Sequence, residues 1–238
     1  MIRQGVNIFD GIHEIAEGLC QFLASETIKK TYTIALPGGN TPKSVFESMS
    51  SGGPWDIPWN KIHFFWGDER CVGSGHPDSN YRMAFESLLN PLNIEEANIH
   101  RIIGESDPDY EADRYTVEIL KNADTWNGYA SFDLIILGMG DDGHTASIFP
   151  GQDKIISSTR VCEMSAHPVT GQKRITLTMG TINNAKNIFF LVTGNKKAKL
   201  VSDIINKKGD WDLYPAAMVN PIHGKLCWLL DREAASGL

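Results

Sequence analysis

Short apolar runs alternate along this chain with stretches in which apolar residues recur every three or four positions. The runs have the length of single strands and carry few charges, as expected of strands buried on both faces of a sheet. They lie at 32–36, 62–66, 132–137, 188–192 and 226–230, with further candidates at 160–164 and 174–178. The helical stretches lie at 8–30, from Pro42 and from Lys196 onward, and after Asn80 and Asp107. This order predicts an α/β fold with a mainly parallel sheet flanked by helices, in one domain over residues 1–238.

The apolar run 132–137 ends in the segment GMGDDGH, residues 138–144. Open α/β sheets bind ligands at the carboxyl ends of their strands, and glycines let a ligand approach the backbone closely. His144, with a neutral imidazole at physiological pH, is therefore a candidate general base whose tautomer Asp142 could hold. Residues 145–147 are expected to begin a helical turn. The simpler alternative is an exposed histidine at a strand–loop–helix corner.

A second polar turn, Gly38-Gly39-Asn40-Thr41, follows the run 32–36. Thr41 suits an N-cap and Pro42 a first helical residue, so a helix is expected to begin here. The free N–H groups and the dipole of such a helix favour an anion. The turn lacks the lysine and the spacing of a P-loop, and it could equally be an ordinary turn.

Three further charged sites follow or precede predicted strands. Asp68-Glu69-Arg70 comes after the run 62–66, and Arg70 could stabilise a developing oxyanion; the alternative is a surface salt-bridge cluster. Lys197 lies in a first helical turn, where a cation is unfavourable unless an anion is near, although solvated lysines also occur there. Arg174 would reach the same edge of the sheet only from an antiparallel strand or by folding back.

Composition narrows the function classes. The chain has 238 residues, 42% of them hydrophobic, and a net charge of −7, which argues against a nucleic-acid or membrane-surface protein. No apolar run is long enough to span a bilayer, and no secretory signal is visible. The four isolated cysteines predict reduced thiols and a cytoplasmic protein. No metal-ligand spacing is present, so we expect no metal.

Several motifs together resemble the 6-phosphogluconolactonase family. They are GGNTP, WGDER, HPDSNYR, LGMGDDGHTASIFPG, RITLT and VTGNKKAKL, which cover roughly residues 32–231 in the family's order. The resemblance implies a Rossmann-like sheet of the sugar-phosphate isomerase and CoA-transferase type. It also implies hydrolysis of 6-phospho-D-glucono-1,5-lactone in the pentose phosphate pathway, without a cofactor. We expect the partner to be the sugar-phosphate lactone and the protein to be a monomer or weak homo-oligomer.

The resemblance also implies roles for individual residues. His144 would activate water, Asp142 would orient it, and Arg70 would bind the sugar or its developing charge. The substrate and its phosphate would be held by Gly38, Gly39, Asn40, Thr41, Asp68, Arg174 and Lys197. The nearest alternative is a glucosamine-6-phosphate deaminase or isomerase, but residues 145–149 supply no carboxylate for ring opening. A non-catalytic sugar-phosphate sensor is a further alternative, which His144 and Arg70 argue against.

Overall fold

The computed structural model describes residues 2–26, 31–53 and 55–238. Its strands are β1 (Gly5–Phe9), β2 (Tyr32–Leu36), β3 (Ile62–Trp66), β4 (Asp68–Arg70), β5 (Asp124–Trp126), β6 (Tyr129–Ser131), β7 (Leu134–Leu137), β8 (Cys162–Ala166), β9 (Lys173–Leu177), β10 (Asn187–Val192) and β11 (Lys225–Asp231). Its α-helices are α1 (Ile12–Ser25), α2 (Asn40–Ser51), α3 (Asn80–Ala84), α4 (Pro108–Asn122), α5 (Asp153–Ile156), α6 (Met179–Asn183) and α7 (Ala198–Ile205). A π-helical turn at Phe85–Leu89 extends α3, and short 3-10 turns lie at 59–61, 96–98, 195–197, 211–213 and 215–218.

The main sheet has six strands in the order β1-β11-β10-β7-β2-β3, and every pairing in it is parallel. The residues of β2 and β7 are all buried, which explains why these strands read as continuous apolar runs rather than alternating ones. The prediction of an α/β fold with a mainly parallel sheet flanked by helices is confirmed. The extent of the domain stays a prediction.

Helix α1 covers this sheet with one apolar face. Its buried residues are Ile15, Ala16, Gly18, Leu19, Cys20 and Leu23. Helix α4 follows Asp107, as predicted from the sequence. Asp107 is its N-cap, and its carboxylate accepts hydrogen bonds from the backbone N–H groups of Asp109 and Tyr110. In the described ranges, no helix has both the length and the apolar character needed to cross a bilayer.

A second sheet of three antiparallel strands, β4-β9-β8, lies beyond the end of β3. Strand β4 follows β3 after only Gly67, and it places Arg70 directly opposite Arg174 of β9. The predicted turn at 68–70 is therefore a short strand. Because β9 runs antiparallel to β4, Arg174 reaches the carboxyl edge of the main sheet by the first of the two routes considered from the sequence.

Four further local predictions are wrong. The helix predicted from Lys196 begins only at Ala198, and Lys196 and Lys197 lie in the 3-10 turn before it. The helix predicted for 8–30 begins only at Ile12, since residues 5–9 form β1, and residues 27–30 of that prediction lie outside the described residues. Thr41 is not the N-cap of α2, which begins at Asn40 after Gly39. Residues 145–147 are not helical, because the backbone turns back in a bridge between Thr145 and Ile148.

Candidate functional site

A cavity of about 320 Å³ opens where β2, β3 and β7 end and where β4 and β9 meet them. It is lined by nine of the ten predicted site residues: Gly38, Gly39, Asn40, Thr41, Asp68, Arg70, His144, Arg174 and Lys197. The tenth, Asp142, lies behind the histidine and contacts it. The fold thus brings the predicted residues together from segments far apart in the chain. Their individual roles stay predictions.

The imidazole of His144 is held by Asp142. His144 Nδ1 lies 2.5 Å from Asp142 Oδ1, and the backbone N–H of His144 donates to the same oxygen at 3.2 Å. Burial acts to raise the pKa of the Asp142 carboxyl, but the charge of His144 and its hydrogen bonds outweigh burial and hold that pKa below its usual range. An ionised carboxylate only accepts, so Nδ1 is the donor of this bond, and in the neutral imidazole the lone pair lies on Nε2.

We call residues 138–146 the histidine loop, and two of its glycines are required by close approach. A Cβ on Gly140 would lie 2.1 Å from His144 Nδ1. Gly143 has a φ of +77°, and a Cβ there would lie 2.6 Å from the Tyr214 ring. Any larger side chain at either position would displace the imidazole or the segment packed against it.

The Gly38-Gly39 turn presents the start of α2 to the cavity. Gly39 has a φ of +104°, and a Cβ on Gly38 would lie 1.9 Å from Asn80 Oδ1, so both positions favour glycine. No side chain caps this helix in the part of the chain that the structure describes. The Thr41 hydroxyl instead pairs with that of Thr193 at 2.7 Å. The first backbone N–H groups of α2 therefore face the cavity as anion donors.

Lys197 reaches the cavity from the turn after β10 and forms an ion pair with Asp141 of the histidine loop. Hydrogen bonding and charge from Lys197 hold the pKa of Asp141 below its usual range. The two adjacent carboxylates of the loop thus have separate partners: Asp142 contacts the imidazole, and Asp141 contacts the ammonium. Sequence reasoning assigned no role to Asp141.

Arg70 and Arg174, which we call the arginine pair, also line the cavity. They are direct cross-strand neighbours, an arrangement that is unfavourable for like charges unless an anion lies between them. Arg70 Nη1 donates to the Asp78 carbonyl at 2.6 Å. Within the described ranges, the Nε atom of each arginine is buried without a hydrogen-bond partner. Burial lowers the pKa of Arg174, against the opposing charge of Asp68.

Two buried residues that sequence reasoning left without a role contact Asp68. Ser147 donates to Asp68 Oδ2 at 2.5 Å, and Asn80 Nδ2 donates to the Asp68 carbonyl at 2.9 Å. Asn80 and Ser147 lie inside the HPDSNYR and HTASIF motifs, so their position was visible in the sequence but their partners were not. Glu69 is also buried and accepts backbone N–H bonds from Asn80 and Tyr81, which fixes the start of α3.

The sequence model of the family described as glucosamine-6-phosphate isomerases/6-phosphogluconolactonase matches residues 10–228. The chain belongs to this family. A 6-phosphogluconolactonase from Synechocystis sp. is 42% identical over 208 residues, which cover 87% of this chain and 84% of the relative. The family assignment confirms the resemblance found in the motifs.

Solved structures of similar proteins have the same fold. The crystal structure of a devB protein has a TM-score of 0.92 and 38% identity, with 98% of this chain and 99% of that chain covered. A 6-phosphogluconolactonase from Trypanosoma brucei has a TM-score of 0.82 and 27% identity, with both chains fully covered at 100%. The expected sheet of the sugar-phosphate isomerase type is confirmed.

Proposed function

We propose that the protein is a lactone hydrolase that converts 6-phospho-D-glucono-1,5-lactone to 6-phospho-D-gluconate in the pentose phosphate pathway. The observation that carries this is one cavity in which the His144–Asp142 pair faces a set of anion-binding groups. The curated relatives named 6-phosphogluconolactonase, such as that of Haemophilus influenzae at 38% identity over 93% of this chain, support the same reaction.

In the proposed mechanism His144 acts as a general base. Its Nε2 atom takes a proton from water while the water oxygen bonds to C1 of the lactone, a step that general-base catalysis typically accelerates by ~10²–10⁴-fold. Asp142 stabilises the imidazolium that forms. The tetrahedral oxyanion then collapses, the bond between C1 and the ring oxygen breaks, and the imidazolium returns its proton to that ring oxygen. Arg70 stabilises the oxyanion by its charge.

The phosphoryl end of the substrate is bound by groups remote from His144. We propose that the backbone N–H groups of the turn at 38–41, together with Lys197 and Arg174, hold the phosphate. Asp68 holds the basic side chains and the sugar in place. Hydrolysis by this route uses only water and protein groups, so the proposed enzyme needs no cofactor or metal. We also propose a cytoplasmic enzyme that acts as a monomer or a weak homo-oligomer.

The test is enzyme-dependent removal of the lactone, generated in place by glucose-6-phosphate dehydrogenase, above its spontaneous hydrolysis. Glucosamine-6-phosphate is the control substrate, because the alternative within the family is a deaminase or isomerase. Residues 145–149 contain no carboxylate for the proton transfers of ring opening, which favours the lactonase. Lactone removal without ammonia release from the control is expected. Ammonia release without lactone removal would contradict the proposal.

A further inference from the structure

Ser147 is fully buried and lies between the side chains of Asp68 and Arg174. Its Oγ atom lies 2.5 Å from Asp68 Oδ2 and 3.4 Å from Arg174 Nη1. The direct distance from Arg174 Nη1 to Asp68 Oδ2 is 3.7 Å, which is longer than a hydrogen bond. The hydroxyl therefore bridges a carboxylate and a guanidinium that form an ion pair without a direct hydrogen bond between them.

The chemistry of the three groups determines the direction of these bonds. An ionised carboxylate only accepts, and a guanidinium only donates. A hydroxyl has one proton and two lone pairs, so the Ser147 hydroxyl donates to Asp68 and accepts from Arg174. Among the described residues, the Arg174 side chain donates two hydrogen bonds, each 3.4 Å long. One goes to Ser147 Oγ and the other to Gln172 Oε1. These two long contacts leave further N–H donors of the Nη1 and Nη2 atoms for a ligand.

The backbone of Ser147 is fixed from two strands. Its N–H donates to Thr176 Oγ1 at 3.2 Å, and its carbonyl accepts from Ser165 Oγ at 2.6 Å. The preceding residue, Ala146, has a φ of +48°, a conformation that a non-glycine residue adopts only at some cost. This strained turn, bridged from Thr145 to Ile148, directs the hydroxyl of Ser147 toward Asp68.

We propose that Ser147 is a positioning residue that keeps Arg174 apart from Asp68, so that the guanidinium presents its donors to the anionic end of the substrate. The inference rests on the proposed function for the identity of that anion. Without the hydroxyl, Arg174 moves closer to Asp68 and hydrogen-bonds it directly, so the guanidinium is turned away from the ligand. The substrate is then bound less tightly, while His144 and Asp142 are unchanged.

The test compares Ser147→Ala with Ser131→Ala, a matched control. Ser131 is also buried and loses a hydroxyl, but its Oγ atom donates to the Asn184 carbonyl at 2.8 Å rather than to a residue of the cavity. We expect Ser147→Ala to raise KM about tenfold, the order of a charge-assisted hydrogen bond, with kcat within about threefold. Ser131→Ala should leave KM within about twofold.

A double mutant separates positioning from general damage. If Ser147 acts through Arg174, adding Ser147→Ala to Arg174→Ala should raise KM by less than about twofold more. An additive effect in the double mutant, an unchanged KM in Ser147→Ala, or a loss confined to kcat would each overturn the proposal. Ser147→Cys, which keeps the volume with a weaker donor, serves under the same criteria if Ser147→Ala does not fold.

Calorimetric binding of 6-phosphogluconate to the same variants makes the result independent of turnover. A wild-type protein that binds this ligand but hydrolyses no lactone contradicts the proposed function, while the affinity of Ser147→Ala still decides the role of Ser147. Weaker binding to Ser147→Ala than to Ser131→Ala, by about tenfold, supports the role; equal binding overturns it. No binding to the wild-type protein overturns both.

Discussion

The histidine loop and the ion pair of Arg174 with Asp68 differ in their access to water. In the histidine loop, His144 and Asp142 expose 28% and 47% of their side chains. In the ion pair, Arg174 and Asp68 expose only 10% and 8%. Water is a reactant in the proposed hydrolysis, so its base must lie where water can reach. Charges attract an anion more strongly when water is excluded, so burial strengthens the attraction of Arg174 for an anion. The exposed histidine loop therefore suits the chemical step, and the buried Arg174 suits anion binding.

The largest expected effect on activity comes from a substitution in the exposed histidine loop. His144→Ala should lower kcat by ~10²-fold or more, because the base is lost, while KM changes by less than about threefold. Steady-state kinetics on lactone generated in place would measure both. His13→Ala is the matched control, since His13 lies on α1 with a side chain that is 70% exposed. Wild-type turnover in His144→Ala would remove it as the base.

The adjacent carboxylates of the histidine loop should differ in their effect on kcat. Asp142→Asn should lower kcat about 10- to 100-fold, because the amide no longer stabilises the imidazolium or holds its tautomer. Asp141→Asn, which alters only the partner of Lys197, should leave kcat within about threefold. The same kinetic assay on both variants decides. Equal losses of kcat would mean that the two carboxylates do not have separate tasks.

Among the proposed phosphate-binding residues, Lys197→Ala should raise KM about tenfold with little change in kcat, because the ammonium proposed to contact the phosphate is lost. Lys199→Ala is the control two residues along the chain: its side chain is 87% exposed and pairs with Asp203. Titration of lactone against initial rate measures both variants. An unchanged KM in Lys197→Ala would place the phosphate elsewhere.

The smallest effect concerns stability at low pH. Because the folded-state pKa of Asp142 is lowered, its contribution to the free energy of unfolding is present above the unfolded value of about 3.9 and is lost as the pH falls through the folded value. Its half-exposed carboxylate limits this contribution to less than about 1 kcal/mol. Urea unfolding between pH 3 and 7 should show the wild-type advantage over Asp142→Asn shrinking toward acid; an advantage that grows there would contradict the assignment.

The sequence predicted those strands whose residues are buried on both faces. The run 62–66 matches β3, and 188–192 falls within β10, because burial on both faces leaves a continuous apolar run. Strand β1 was missed because it lies at the sheet edge, where Val6 and Ile8 are exposed, and its apolar residues continue the helical spacing of α1. Strand β4 was missed because three charged residues in a row are typical of a turn.

The membership of the site was largely predictable, but its internal contacts were not. His144 and Asp142 are two residues apart, so their pairing follows from local sequence. Ser147 and Asp68 are 79 residues apart, and their contact depends on the second sheet, whose existence no local pattern indicated. The approach of Arg174 likewise depended on strand direction, which apolar spacing does not encode. Long-range polar contacts between sheets thus needed the folded structure.

In the proposed mechanism His144 governs the chemical step, while Lys197 and the other anion-binding groups hold the phosphate. The most direct measurement is the ratio of kcat/KM for 6-phosphogluconolactone to that for unphosphorylated glucono-1,5-lactone, in wild type, His144→Ala and Lys197→Ala. The account predicts that His144→Ala lowers both values and keeps their ratio, whereas Lys197→Ala reduces the ratio about tenfold. A ratio that collapses in His144→Ala, or stays unchanged in Lys197→Ala, would contradict it.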